Sequence, residues 1–152
     1  MTPGPLDKAD LRLLTEIGFL GAGANLPRPV SQLFSALMEL RPRRAFSYVG
    51  LATAHLNQSR ADSALQVMQQ GVRMLDNPLP DDALDASTFD PVQDPAMMHT
   101  FHGLCLLANQ RTAEAQQVLQ RVLQLPEYPP ALRLARGLLG LRPEAHDTKE
   151  SA

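Results

Sequence analysis

Residues 51–75 read LATAHLNQSRADSALQVMQQGVRML. Apolar and small residues recur at helical spacing on both sides of a polar break, Asn57-Gln58-Ser59-Arg60, which predicts two helices joined by a tight turn. In the second arm Ala64 is followed four residues on by Met68. A small residue lets two antiparallel helices approach, and a large one fills the space beyond the contact. A lone helix pair cannot bury its own hydrophobic faces, so similar pairs are expected on either side.

Working outward, the same spacing recurs. Gly18 and Val30, Ala52 and Ala64, and Gly103 and Ala115 are each twelve residues apart, and the next four-residue step lands on Phe34, Met68 and Leu119. The first helix is expected from Leu6, with Leu6, Leu11, Leu14, Ile17, Gly18, Gly21 and Ala22 forming one apolar or small-residue stripe; the second runs about Pro29 to Leu40. A third begins near Arg44, a fourth covers Ala61 to Leu75, a fifth Ala96 to Asn109, a sixth Thr112 to Leu125, and a short terminal one Ala131 to Leu141. Between Asp76 and Pro95 the periodicity fails: the stretch holds six aspartates, four prolines and no basic residue, and reads as a solvated acidic insertion. Residues 1–5 read as a flexible lead-in and 142–152 as a polar tail.

Val30 and Ala64 are 34 residues apart, the period of the tetratricopeptide (TPR) repeat. Ala64 and Ala115 are 51 apart, and the acidic insertion accounts for the excess. The expected architecture is all-α: a right-handed α-solenoid of three TPR-like helix pairs (6–42, 43–76 and 96–126), an irregular insertion at 77–95 and a capping helix at 131–141, all in one domain spanning 6–141. The repeats depart from the usual pattern. Leu14, Tyr48 and His99 stand where tryptophan is common, and the closing proline is Pro42 in the first unit, missing at Asp76 and one residue early at Pro126 in the third.

Composition excludes several function classes. A net charge of -2 across 152 residues, no tryptophan and 5% aromatics provide neither the electrostatic footprint nor the stacking platforms of nucleic-acid binding. The first ten residues lack the basic start and apolar core of a signal peptide, and no run approaches a membrane span, so a soluble cytoplasmic protein with no membrane insertion is expected. Cys105 lies in the apolar run Leu104-Cys105-Leu106-Leu107 and reads as a buried, inert thiol. His99 and His102 have a spacing that sets two imidazoles side by side but no suitable third ligand, so no metal is expected. The insertion's aspartates lack the calcium-loop alternation, and Gly18, Gly21 and Gly23 form no phosphate loop. With no nucleophile–base pair and no paired carboxylates in an apolar setting, neither enzyme nor cofactor is expected.

In TPR arrays the first helix of each unit lines a concave surface. Carrying the usual positions over by register gives Arg12, Thr15, Phe19 and Ala22; then Phe46, Val49, Thr53, Leu56 and Asn57; then Met97, Thr100, Leu104 and Leu107. The expected partner-binding set is Phe19, Phe46, Val49, Thr53, Leu56, Met97, Leu104 and Leu107. Two readings stand side by side: these residues form core covered by the insertion or the terminal helix, or they form a groove for the apolar face of an amphipathic helix.

The run IGFLGAGANL leading into LFSALMELRPRRAFSYVGLATAHLNQSRADSAL resembles the TPR-type chaperones of bacterial type III secretion systems, the needle-subunit group above all. The likeness covers about Leu11 to Leu75, and Met97 to Leu125 less specifically. It implies a cytoplasmic, non-catalytic chaperone whose groove holds the amphipathic C-terminal helix of a needle or filament subunit, often with a second small co-chaperone. The alternatives are a chaperone of translocator proteins bound through short extended segments, and a TPR scaffold or regulator unrelated to export.

Overall fold

A computed structural model describes residues 8–23, 27–76 and 89–141, with side chains at 8–11, 14, 15, 22, 23 and 27 left out. Among the described residues there are seven helices and no strands: α1 (Lys8–Gly23), α2 (Pro27–Leu40), α3 (Ala45–Asn57), α4 (Ala61–Leu75), α5 (Gln93–Ala108), α6 (Thr112–Val122) and α7 (Pro129–Leu138). The protein is all-α. The lead-in, the tail and residues 77–88 of the insertion lie outside the described residues.

The helices stop where their ends are satisfied locally. After α3, Ser59 takes a left-handed conformation (φ 60°), its N–H donating to Leu56 O and that of Arg60 to His55 O. After α5, Gln110 does the same (φ 62°), with donation to Leu107 O and from Arg111 to Leu106 O. Both are Schellman caps, which use up carbonyls that the helix itself leaves unpaired. At the other end of the chain, Pro129 and Pro130 open α7, where a missing N–H costs nothing, and Gly140 (φ 72°) closes it.

Contacts are extensive between helices adjacent in order (α1 with α2, α2 with α3, α3 with α4, α4 with α5, α5 with α6, α6 with α7) and between α1, α3, α5 and α7 in series. The small-to-large pairing holds throughout: Phe34, Met68 and Leu119 are all fully buried. A methyl placed on Gly18 would stand 2.7 Å from the Phe34 ring, and one on Gly103 2.6 Å from Leu119. The main core joins α3 to α6 through Tyr48, Val49, Ala52, Met68, Met98 and Leu106. A second cluster joins Val30, Phe34 and Leu37 of α2 to Leu51 and Ala54 of α3, and a third joins Leu119 and Val122 to Ala135 of α7.

Three sequence expectations need correction. The fifth helix starts at Gln93, inside the stretch expected to be irregular, because Pro95 falls in its first turn, where proline removes no helical hydrogen bond. Asp94, expected in a solvated loop, is fully buried. Ile17, on the apolar stripe expected for α1, is 48% exposed. Smaller shifts move the start of α2 to Pro27, the end of α6 to Val122 and the limits of α7 to Pro129 and Leu138.

Candidate functional site

The expected partner-binding residues sit on α1, α3 and α5, the helices that touch in series. Phe19 is half-buried and meets Phe34 edge-on at 5.3 Å and Phe46 edge-on at 6.4 Å, so it links α1 to both α2 and α3. Edge-to-face rings at these separations are a favoured aromatic geometry. Phe46 is half-buried, with the Arg44 guanidinium 5.7 Å from its ring centroid. Leu56, Met97 and Leu107 are half-buried and rest on the main core, and Leu107 also touches the C-terminal cluster. Leu104 is half-buried and belongs to none of the three clusters.

Val49 differs from the rest. It is 3% exposed and part of the main core, so it supports the surface from beneath. Thr53 is half-buried, and its hydroxyl donates to Val49 O at 2.7 Å, which satisfies it inside its own helix. Thr100 is fully buried and donates to Ala96 O at 2.7 Å. Arg12 is exposed and pairs with Glu16 at 3.0 Å; the side chains of Thr15 and Ala22 are outside the described residues. What remains is a row of half-buried apolar side chains with few polar groups, an arrangement suited to non-covalent recognition of an apolar surface.

At the start of α3 the structure adds residues that the sequence pattern did not single out. Asp94 Oδ1 accepts from Ala45 N–H at 2.9 Å, and Oδ2 accepts from Arg44 Nη1 at 3.1 Å and Asp90 N–H at 2.8 Å. Burial pushes the Asp94 carboxyl above its usual range, and the Ala45 N–H, the Asp90 N–H and Arg44 pull against that rise. Asp90 in turn accepts from the N–H groups of Gln93 and Val92, which hold its carboxyl below the usual range. The Arg43 guanidinium lies 4.4 Å from the Phe89 ring centroid. The last residues of the acidic stretch are thus fastened to the basic connection between α2 and α3. A signal existed: Asp90-Pro91 is a turn-forming pair just ahead of a helix, and an aspartate there accepts N–H groups two and three residues on.

Other candidate chemistry is quiet. Burial pushes the Cys105 thiol up to about 12, which leaves it without nucleophilic thiolate near neutrality. Burial holds the His99 and His102 imidazoles below their usual range. Among the described residues no three His, Cys, Asp or Glu gather to hold a metal ion, and no helix is long and apolar enough to cross a membrane. No family model matches the chain, and no curated protein is significantly similar to it.

Proposed function

We propose that the chain is a right-handed array of three TPR-like units with α7 as its cap, acting as a cytoplasmic type III secretion chaperone. Its client is a needle or filament subunit, whose amphipathic helix lies along the apolar row of α1, α3 and α5. The observation that carries this reading is that row itself: Phe19, Phe46, Leu56, Met97, Leu104 and Leu107 keep part of their apolar surface unburied on consecutive first-arm helices. Support for a repeat comes from the two caps at Ser59 and Gln110, which are 51 residues apart, as are Ala64 and Ala115. The resemblance along Leu11 to Leu75 supplies the client class.

The mechanism is sequestration. A subunit built to polymerise exposes an apolar helix face that associates with its own kind unless another surface covers it. A groove offering half-buried leucines and phenylalanines covers that face reversibly, and a second small co-chaperone extends the cover. Neither cofactor nor catalysis is involved.

Leu104 is the side chain to test, since it is half-buried and joins no core cluster, whereas a charge at Val49 would unfold the main core. The tagged protein, purified from its own host, should co-elute with a small self-assembling secreted subunit identified by mass spectrometry. Leu104→Asp should then weaken binding of that subunit's C-terminal helix at least about tenfold, equivalent to about 1.4 kcal/mol, with helical circular dichroism retained. Unchanged affinity in the folded variant would remove the groove from the proposal.

A further inference from the structure

Phe46 opens the apolar row on α3, yet it belongs to none of the three core clusters. Two contacts address its ring. The Phe19 ring of α1 meets it edge-on at 6.4 Å, and the Arg44 guanidinium stands 5.7 Å from its centroid, within cation–π range. Phe19 is itself set by α2, since it meets Phe34 edge-on at 5.3 Å and Phe34 is fully buried. What sets Arg44 therefore decides how firmly Phe46 is held.

A free arginine side chain samples many rotamers. Here Arg44 Nη1 donates to Asp94 Oδ2 at 3.1 Å, and its side chain is only 16% exposed. Swinging away would take the ion pair from a fully buried carboxylate, which a protein interior penalises heavily. Asp94 also acts on the backbone beside Phe46. Its Oδ1 accepts from Ala45 N–H at 2.9 Å, while Arg44 N–H donates to Arg41 O at 3.1 Å, so residues 44 and 45 are both tied down directly ahead of Phe46.

The next unit is built differently. Fifty-one residues on, the register-equivalent of Phe46 is Met97, an unbranched thioether that adapts to its surroundings. The row is thus adaptable at Met97 and ordered at Phe46 and Phe19.

We propose that Asp94, acting through Arg44 and Ala45, is a positioning residue of the groove: it holds the Phe46 ring beside Phe19 and so forms a rigid aromatic anchor before the client helix arrives. Aromatic anchors carry a large share of binding energy, and one ordered in advance loses no rotamer freedom on binding. The bearing on binding rests on the groove reading; the ring placement does not.

Fluorine NMR of the full chain carrying para-fluorophenylalanine tests the placement, because the five phenylalanines give five signals that Phe→Leu variants assign. Asp94→Asn and Arg44→Gln should each move the Phe46 and Phe19 signals and leave that of Phe101, which rests on the main core, in place. Arg44→Gln leaves Asp94 to accept the Ala45 N–H, so it separates ring placement from loss of the helix start. An unmoved Phe46 signal overturns the proposal, and so does a comparable shift of all five, which marks general loosening. The C-terminal helix of the co-eluting subunit, made as a peptide, supplies the second readout. Arg44→Gln should weaken its binding about fivefold in the parent chain and have almost no further effect once Phe46→Leu has removed the ring, because both changes act through one side chain. Equal weakening in the two backgrounds overturns the positioning role. If no subunit co-elutes while the Phe46 signal still responds to both substitutions, the groove reading falls and the ring placement stands.

Discussion

Asp94 and Arg44 form an ion pair of 3.1 Å across 50 residues of sequence, with the carboxylate side chain fully buried and the guanidinium side chain 16% exposed. The other Asp94 oxygen takes the N–H of Ala45, one of the donors at the start of α3 that has no partner within the helix. One side chain therefore fixes the first turn of α5 against the first turn of α3, and Arg44 in the same place lies over Phe46 of the candidate groove. Asp94→Ala removes the acceptor of the Ala45 and Asp90 N–H groups and breaks the Arg44–Asp94 ion pair. The expected loss is about 2–4 kcal/mol of unfolding free energy, read from the urea midpoint. Asp94→Asn, which keeps the shape and one acceptor, should fall between the two. A loss under about 1 kcal/mol would mean that water replaces the carboxylate at little cost.

Gly50 and Gly137 are both helical glycines, and alanine should act at them with opposite signs. A methyl on Gly50 would run into the Phe34 ring, which is fully buried, held edge-on by Phe19 and pressed on its other approach by Gly18. With no direction for the ring to move, Gly50→Ala should cost about 1–3 kcal/mol through overpacking. Nothing lies within 4 Å of a methyl on Gly137, so Gly137→Ala gains the ordinary helix preference of about 1 kcal/mol, seen as a rise of about 2–4 °C in melting temperature. Equal effects at the two sites would contradict the close approach of α1, α2 and α3.

The helix pairs were readable in the sequence because side-chain volume is local information. Gly18 before Phe34, Ala52 before Met68 and Gly103 before Leu119 repeat one spacing, and all three large residues are fully buried. Burial of charge was not readable, since what makes Asp94 affordable is a pair of donors 49 and 50 residues away. The candidate groove was expected as a set of positions, and the exposures within that set differ. Val49 and Phe46 stand in the same nominal row, yet Val49 belongs to the core joining α3 to α6 and Phe46 stays half-buried. Likewise, periodicity gives α1 an apolar stripe without saying whether anything covers it, and Ile17, on that stripe, is exposed.

Ser59 and Gln110 adopt left-handed backbone conformations that cost a residue with a Cβ roughly 1 kcal/mol or more, and glycine nothing comparable. Their side chains are exposed, so replacement removes little packing. Ser59→Gly and Gln110→Gly should each stabilise the fold by about 0.5–1 kcal/mol. The sites are in separate hairpins, so the double variant should sum the two gains. Thermal or urea unfolding of the three variants checks this. Destabilisation by either glycine would mean that the cap conformation is not the one adopted in solution.

Acid should destabilise the fold through α5. His99 faces Asp76 and Arg121, and His102 faces His99, Arg111 and Glu114; burial is the largest cause holding both imidazoles below the ordinary 6.5. His55, on α3, is lowered in the same way. As pH falls through 6.5 the unfolded chain takes up protons that the folded chain still refuses, so the unfolded state binds more protons and stability drops. The contribution is fully present above 6.5 and is lost as pH falls through the lowered folded values. Asp94 works in the opposite sense, because a raised carboxyl favours the folded state as it protonates, so the histidine part must be isolated by substitution. Urea midpoints measured at pH 7.5, 6.5 and 5.5 should fall steadily for the parent chain. The His99→Gln, His102→Gln double variant should show a visibly flatter decline, whatever its absolute stability. An identical slope in both proteins would show that these imidazoles protonate in the folded state as readily as in the unfolded one.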